Sequence, residues 1–276
     1  MNRKTALMSG LAALGVAMGL MGSACAETMP FLAHRAVYEL KLVDSKGARG
    51  PAGARGLIAY EFGGSSCDGF TTTFRQMMEV APEEGDAHVT DVRSTTFEDG
   101  EFKNFRFHVK TLADGRQADD VDGTAARGAD GSLSIRLSRP KLNKLDFSTG
   151  ILFPTEHIAH IIAAAKAGET TLSRRTYDGT DNGEKLFDTL TVIGKARKDE
   201  PNEAAAKDAA LAKVPRWPVT ISYFEVGKSG DTPSYVLSFD LYENGVSRAL
   251  TLDYGNFALK GEMTKFETRP VSACKK

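Results

Sequence analysis

Residues 36–42 read Ala-Val-Tyr-Glu-Leu-Lys-Leu, with Ala36, Tyr38, Leu40 and Leu42 on one side of an extended chain and Glu39 and Lys41 on the other. An alternation of period two with one polar face is the pattern of a half-buried strand in an antiparallel sheet. The rhythm returns along the chain. Phe70, Phe74, Met78 and Val80 alternate with Thr71, Thr73, Arg75 and Glu79, and Phe105, Phe107 and Val109 alternate with Arg106, His108 and Lys110. Leu133/Ile135/Leu137, Trp217/Val219/Ile221/Tyr223, Tyr235/Leu237/Phe239/Leu241 and Leu250/Leu252/Tyr254 repeat it. Between or beside these runs stand Asp99-Gly100, Asp114-Gly115, Asp130-Gly131, Asn182-Gly183 and Asn244-Gly245. Asp-Gly and Asn-Gly tolerate the positive φ of tight hairpins, so successive strands are expected to pair with their neighbours. The reading is all-β and mainly antiparallel, with about a dozen or more strands.

Two segments break the rhythm. From Phe153 to Gly168 the sequence predicts a helix that begins at Pro154 or Thr155 and stops at Gly168, with Lys166 in its last turn. Its apolar stripe, Ile158, Ile161, Ile162 and Ala165, is expected to lie on the sheet. The second segment, Pro201 to Pro215, is Ala-rich with Leu211 as its one large apolar residue. It reads as an exposed helical or mobile excursion, or as a partner-binding helix.

The N-terminus has three parts: Arg3 and Lys4, an uncharged apolar run from Leu7 to Met21, and the small residues Ala24 and Ala26 around Cys25. This is the pattern of a secretory signal peptide over residues 1–26, cleaved after Ala26, with a single domain in 27–276. A membrane anchor would need about 20 apolar residues. Lipidation of Cys25 would need a Leu-like residue where Gly22 stands. Cleavage would leave two cysteines, Cys67 and Cys274. An even count in an oxidising compartment points to a disulfide, the alternative being two unrelated buried thiols. A bridge between them would clasp the end of the chain to its N-terminal part.

The 276-residue chain carries 35 Lys and Arg against 36 Asp and Glu. That balance gives no electrostatic reason for nucleic acid, and no basic cluster suits anionic lipid. No second apolar run is long enough for a stable membrane span. The expected product is a soluble exported protein.

Sites of chemistry are scarce. His157 and His160 share one helix face, with Cβ atoms about 5–6 Å apart, which is close enough to share a metal. A zinc enzyme needs a third ligand and a base, and no His-Glu-x-x-His is present, so structural histidines are the preferred reading and a metal-dependent hydrolase the alternative. Asp119, Asp120 and Asp122 lack the later ligands of a calcium loop and read as solvated hairpin acids. There is no nucleophile elbow and no phosphate loop. Trp217 is expected in the core, or lining a pocket together with His157 and His160. No catalytic residue, cofactor or metal is expected.

Four stretches taken together resemble the EipB family of cell envelope integrity proteins: Gly63–Phe70 (GGSSCDGF), Gly150–His157 (GILFPTEH), Arg174–Lys195 (RRTYDGTDNGEKLFDTLTVIGK) and Val271–Lys276 (VSACKK). These are periplasmic proteins of alphaproteobacteria. The resemblance runs from about Ala33 to Cys274 and implies a sheet wound into a β-spiral, similar in architecture to periplasmic lipoprotein carriers. It also implies a disulfide between Cys67 and Cys274, a periplasmic location, and a role in envelope integrity under stress. It brings no catalytic residues, and residues 201–215 carry no family signature. The expected function is a non-enzymatic periplasmic protein that binds an apolar ligand, a peptide or an envelope protein on a half-barrel-like curved sheet. The alternatives are a scaffold without small ligand and the metal-dependent hydrolase using His157 and His160.

Overall fold

The computed structural model describes residues 31–47 and 50–271. The opening alternation is realised in β1 (His34–Ser45), where Ala36, Tyr38 and Leu40 are buried while Glu39 and Lys41 face solvent. The chain continues through β2 (Gly53–Ser65), β3 (Gly69–Ala81), β4 (His88–Glu98), β5 (Asn104–Ala113), β6 (Arg116–Arg127), β7 (Leu133–Arg139) and β8 (Asn143–Phe147). A short β9 (Ile151–Leu152) leads into helix α1 (Pro154–Ala167). The second half comprises β10 (Thr171–Thr176), β11 (Phe187–Ile193), β12 (Arg216–Glu225), β13 (Tyr235–Tyr242), β14 (Ser247–Asp253) and β15 (Phe257–Thr268).

These strands form one 15-stranded sheet in the order β8-β7-β6-β5-β4-β3-β2-β1-β15-β14-β13-β12-β11-β10-β9. Every neighbouring pair is consecutive in sequence except β1 and β15, which zip the two ends of the described chain together from His34↔Thr268 to Ser45↔Phe257. All pairings are antiparallel except β9 with β10, which the α1 crossover makes parallel. The two outermost strands, β8 and β9, are themselves consecutive and joined only by residues 148–150. Four extended Cα steps reach on the order of 14 Å. A flat sheet would separate its edges by roughly 4.8 Å per strand, many times that reach. The sheet therefore has to curl until its edges nearly meet, and the connectivity alone dictates a barrel-like shape.

The hairpins follow the turn chemistry. Between β5 and β6, Asp114 (φ 50°) and Gly115 (φ 76°) are the two central residues of a loop closed by the Ala113↔Arg116 pair. Positive φ at both positions is the type I′ geometry, whose twist matches the strands it joins.

Helix α1 has the expected ends. Pro154 occupies its first turn, and Gly168 closes it in the left-handed conformation (φ 79°), donating to the Ala165 carbonyl. Ile161, Ile162, Ala164 and Ala165 pack into a core with β1 and β11–β15, while Phe153, just ahead of the helix, packs into a second core with Phe105, Phe107 and Tyr177. Pro154, Thr155 and Ile158 face the hollow of the curl. The helix thus bridges two apolar clusters inside the sheet.

Residues 201–215 correct the expectation of an exposed excursion. Ala206 and Leu211 are buried, and so is Glu203. The Glu203 carboxylate pairs with Arg248 Nε at 2.5 Å and accepts the backbone N–H of Met263 at 3.0 Å and of Ala249 at 3.2 Å. Arg248 Nη1 reaches Asp240 at 2.9 Å, and Asp240 also holds Arg216 and Arg197. Counting apolar residues missed this docking because it is made by one buried ion-pair network and by alanines small enough for close approach. The acidic run is corrected too. Asp119, Asp120 and Asp122 lie within β6, where Asp120 pairs with His108 (2.9 Å) and Asp122 with Arg139 (3.2 Å).

Candidate functional site

The curl encloses a cavity of about 420 Å³. Period two builds its walls. Ile58, Tyr60 and Phe62 point inward from β2, Thr72, Phe74 and Gln76 from β3, and Val92, Ser94 and Thr96 from β4. Across the hollow, Ile221 and Tyr223 come from β12, and Tyr235, Leu237 and Phe239 from β13. The volume lies within the range of small-molecule sites, about 300–1,000 Å³, and apolar walls carrying a few polar groups are their usual composition.

The polar groups are few and individually placed. Gln76 Nε2 donates to the Tyr254 hydroxyl at 3.0 Å, and the Tyr38 hydroxyl donates to the Ser247 carbonyl at 2.7 Å. Burial pushes the Tyr60 hydroxyl up to about 12 and raises those of Tyr38, Tyr223 and Tyr235, so all of them stay neutral. His34 donates from Nδ1 to the Leu32 carbonyl at 2.7 Å, and its buried Nε2 has no partner. Burial lowers its pKa, so the ring is held neutral with Nε2 as a bare acceptor. Its ring lies 5.5 Å from that of Tyr60.

Asp178 is the one carboxylate on the cavity wall, and no Lys or Arg is there among the described residues. It belongs to the run Tyr177-Asp178-Gly179-Thr180-Asp181-Asn182-Gly183, which the structure turns into a bracket. The Tyr177 hydroxyl, buried against Phe105 and Phe107, donates to the Gly183 carbonyl at 2.8 Å. Gly179 has φ 76°, and a Cβ there would stand 2.4 Å from the Phe107 ring, so only glycine fits. Asp178 Oδ1 accepts from the Thr180 N–H (3.0 Å) and hydroxyl (2.7 Å), which fixes the carboxyl at the wall. Burial raises its pKa above the usual carboxylate range.

A second buried acid borders the site. Glu98, at the end of β4, accepts the N–H groups of Thr155 and Glu156 at the start of α1. Burial nevertheless pushes its carboxyl up to about 7.

The residues singled out from sequence lie elsewhere. Trp217 is buried in the larger apolar core, and neither it nor His157 or His160 lines the cavity. His157 faces β11, with Nε2 3.4 Å from the Thr189 hydroxyl, and burial lowers its pKa to about 4. Among the described residues no three His, Cys, Asp or Glu side chains come together as a metal site. Cys67 stands in the turn between β2 and β3. Cys274 and the expected signal peptide, with Ala24 and Ala26, lie outside the described residues. Among the described residues no helix is long and apolar enough to cross a membrane.

Asp178 and Tyr60 escaped the sequence reading for different reasons. Asp178 sits among turn formers, where an acid is ordinarily solvated. Tyr60 belongs to β2, whose alternation is blurred by glycines and by Leu57 on the outer face.

An almost wholly antiparallel sheet, curled around an aromatic cavity and bridged by one helix, defines a barrel-like all-β fold. Comparison with known proteins makes this specific: the profile described as EipB-like matches residues 25–270, and the chain belongs to that family. It is 37% identical, over 90% of its length and 89% of the relative's, to the cell envelope integrity protein EipB of Brucella abortus. Among solved structures it resembles a beta-barrel-like protein of a domain of unknown function from the same organism. That likeness has a TM-score of 0.81 and 36% identity, and covers 88% of this chain and all of that one.

Proposed function

We propose that this protein is a non-enzymatic, periplasmic member of its family that supports cell envelope integrity by holding an apolar ligand or peptide side chain inside its curled sheet. The observation that carries the reading is the cavity itself. It is a preformed, aromatic-walled hollow of about 420 Å³, and the sequence spends inward positions on strands β2, β3, β12 and β13 to line it. The envelope role is what the name of the Brucella relative says of that protein. Export through a cleaved segment of residues 1–26 and a clasp between Cys67 and Cys274 complete the proposal; what supports the clasp is that such cleavage would leave these two cysteines, an even count, in an oxidising compartment.

The test is binding of a neutral apolar fluorophore by the purified mature protein, beside a variant in which Ser94→Leu fills the hollow from β4. Saturable binding that the variant loses, with its fold retained by circular dichroism, is the expected result. Absence of binding by the parent protein, or equal binding by both, would remove the cavity from the function and leave a scaffold role.

A further inference from the structure

Resting on the cavity reading above, we infer that the cavity selects apolar ligands that end in a cationic ammonium group, with Asp178 as their counter-charge. Two observations converge on this. The first is the charge inventory of the wall. Asp178 is its one acid, His34 is its one potential base, and no Lys or Arg is present among the described lining residues. His34 is held neutral by burial, and its buried Nε2 is an acceptor. A fatty carboxylate, sulfate or phosphate entering this hollow would shed water and find no cation, which is costly in an apolar interior.

The second is what surrounds the acid. Tyr177, Tyr223 and Asp181 are the titratable groups close enough to Asp178 to feel its charge or to act on it. Two are aromatic and the third is acidic, so among the described residues no cationic side chain is paired with Asp178. Tyr223 and Tyr235, which line the same cavity, stand with ring centroids 5.9 Å apart. A carboxylate and tyrosine rings lining one hollow are the chemistry that recognises ammonium: the charge pairs with the carboxylate while the ring quadrupoles attract the alkyl-ammonium methylenes. Asp178 is also held where it can act. Thr180 fixes one oxygen, and the Tyr177–Gly183 bond and the Gly179 contact with Phe107 pin the bracket that carries it. A bracket of that rigidity around a wall-lining acid is pre-organised for a cationic partner.

Decanol, decylammonium chloride and decanoate, titrated below their micelle-forming concentrations, decide the matter by competition against the neutral fluorophore. The expected result is displacement by all three, with decylammonium at least about tenfold tighter than decanoate, the size of one charge-assisted contact. Asp178→Asn keeps the side chain's shape and its acceptor for Thr180, and it should erase the ammonium preference while leaving decanol unchanged. If the fluorophore and decanol bind but decylammonium is no tighter than decanoate, the assignment of Asp178 falls and the cavity reading stands. If neither fluorophore nor decanol binds, both fall together. If the Asn variant is misfolded, the comparison of the two charged probes on the parent protein decides alone.

Discussion

The Glu98 carboxylate accepts the backbone N–H of Thr155 at 2.8 Å, so that a residue of β4 caps a helix far along the chain. Phe153, just ahead of the helix, offers no capping side chain, and Glu98 supplies the missing acceptor from the sheet. The capping N–H groups favour the ionised form, but burial outweighs them and leaves the folded-state pKa at about 7, against an ordinary value of 4.5. An acid whose pKa is raised on folding contributes stability that is fully present below its unfolded pKa and is lost as pH rises through the folded one. Native Glu98 should therefore cost up to about 3 kcal/mol between pH 4.5 and pH 7. Glu98→Gln keeps an amide oxygen for Thr155 and does not titrate. Urea unfolding at pH 5, 6, 7 and 8 should find the variant gaining on the parent protein as pH rises. Parallel profiles would mean that Glu98 does not titrate in this window.

Glu203 anchors the Ala-rich segment to β14 and β15. Its removal leaves Arg248 with Asp240 as its one acidic partner beside the Asn202 side chain, and strands the N–H groups of Ala249 and Met263 in the interior. Breaking a buried pair from one side costs about 3–5 kcal/mol, and Glu203→Ala should fall in that range. Lys207 in the same segment is exposed, and Lys207→Ala should stay within about 0.5 kcal/mol. Chemical denaturation of both variants is the check, and equal small losses would show that the segment is not docked in solution.

Most of the sheet was legible because hairpin order is local information. Asp99-Gly100, Asp114-Gly115, Asp130-Gly131 and Asn244-Gly245 each join the strands on either side of them, and α1 begins at Pro154 and ends before Gly168 as its residues require. The inward faces were legible as well: Tyr223, Tyr235, Leu237 and Phe239 were all read as facing in. Whether an inward residue packs against a neighbour or borders a hollow depends on the curvature of the sheet, which no single strand encodes. Trp217 and Tyr223 follow the same alternation on β12, yet the first lies in the core and the second lines the cavity. Long-range polar partners were illegible for a related reason. Glu98 and Thr155, or Glu203 and Arg248, have nothing in their local sequence that announces each other.

The clasp makes a prediction that depends on pairing rather than on either thiol. If Cys67 and Cys274 bond each other, Cys67→Ser, Cys274→Ser and the double variant should lose the same stability, about 2–4 kcal/mol, because each removes one covalent link. Thermal unfolding of the exported protein, with intact mass before and after reduction, provides the measurement. Additive losses in the double variant would break the pairing, as would a mass that reduction leaves unchanged.

His157 should set the acid side of the stability profile. The Thr189 hydroxyl donates its proton to the Arg174 carbonyl at 2.8 Å, so towards His157 Nε2 it can only accept, and the neutral ring carries its proton on Nε2. Burial disfavours the imidazolium, His160 and Arg174 add repulsion, and together they bring the pKa from 6.5 to about 4. A histidine whose pKa is depressed on folding contributes stability that is present above its unfolded pKa and is lost as pH falls through the folded one. Between pH 6.5 and pH 4 the loss should reach about 3 kcal/mol, opposite in sign to the trend from Glu98. His157→Gln retains a donor for Thr189 without titrating, so its stability should fall less steeply on acidification than that of the parent protein. A matched acid limb in the two proteins would place the titrating group elsewhere. NMR of the His157 ring should find it neutral at pH 6, and an imidazolium there would overturn the assignment outright.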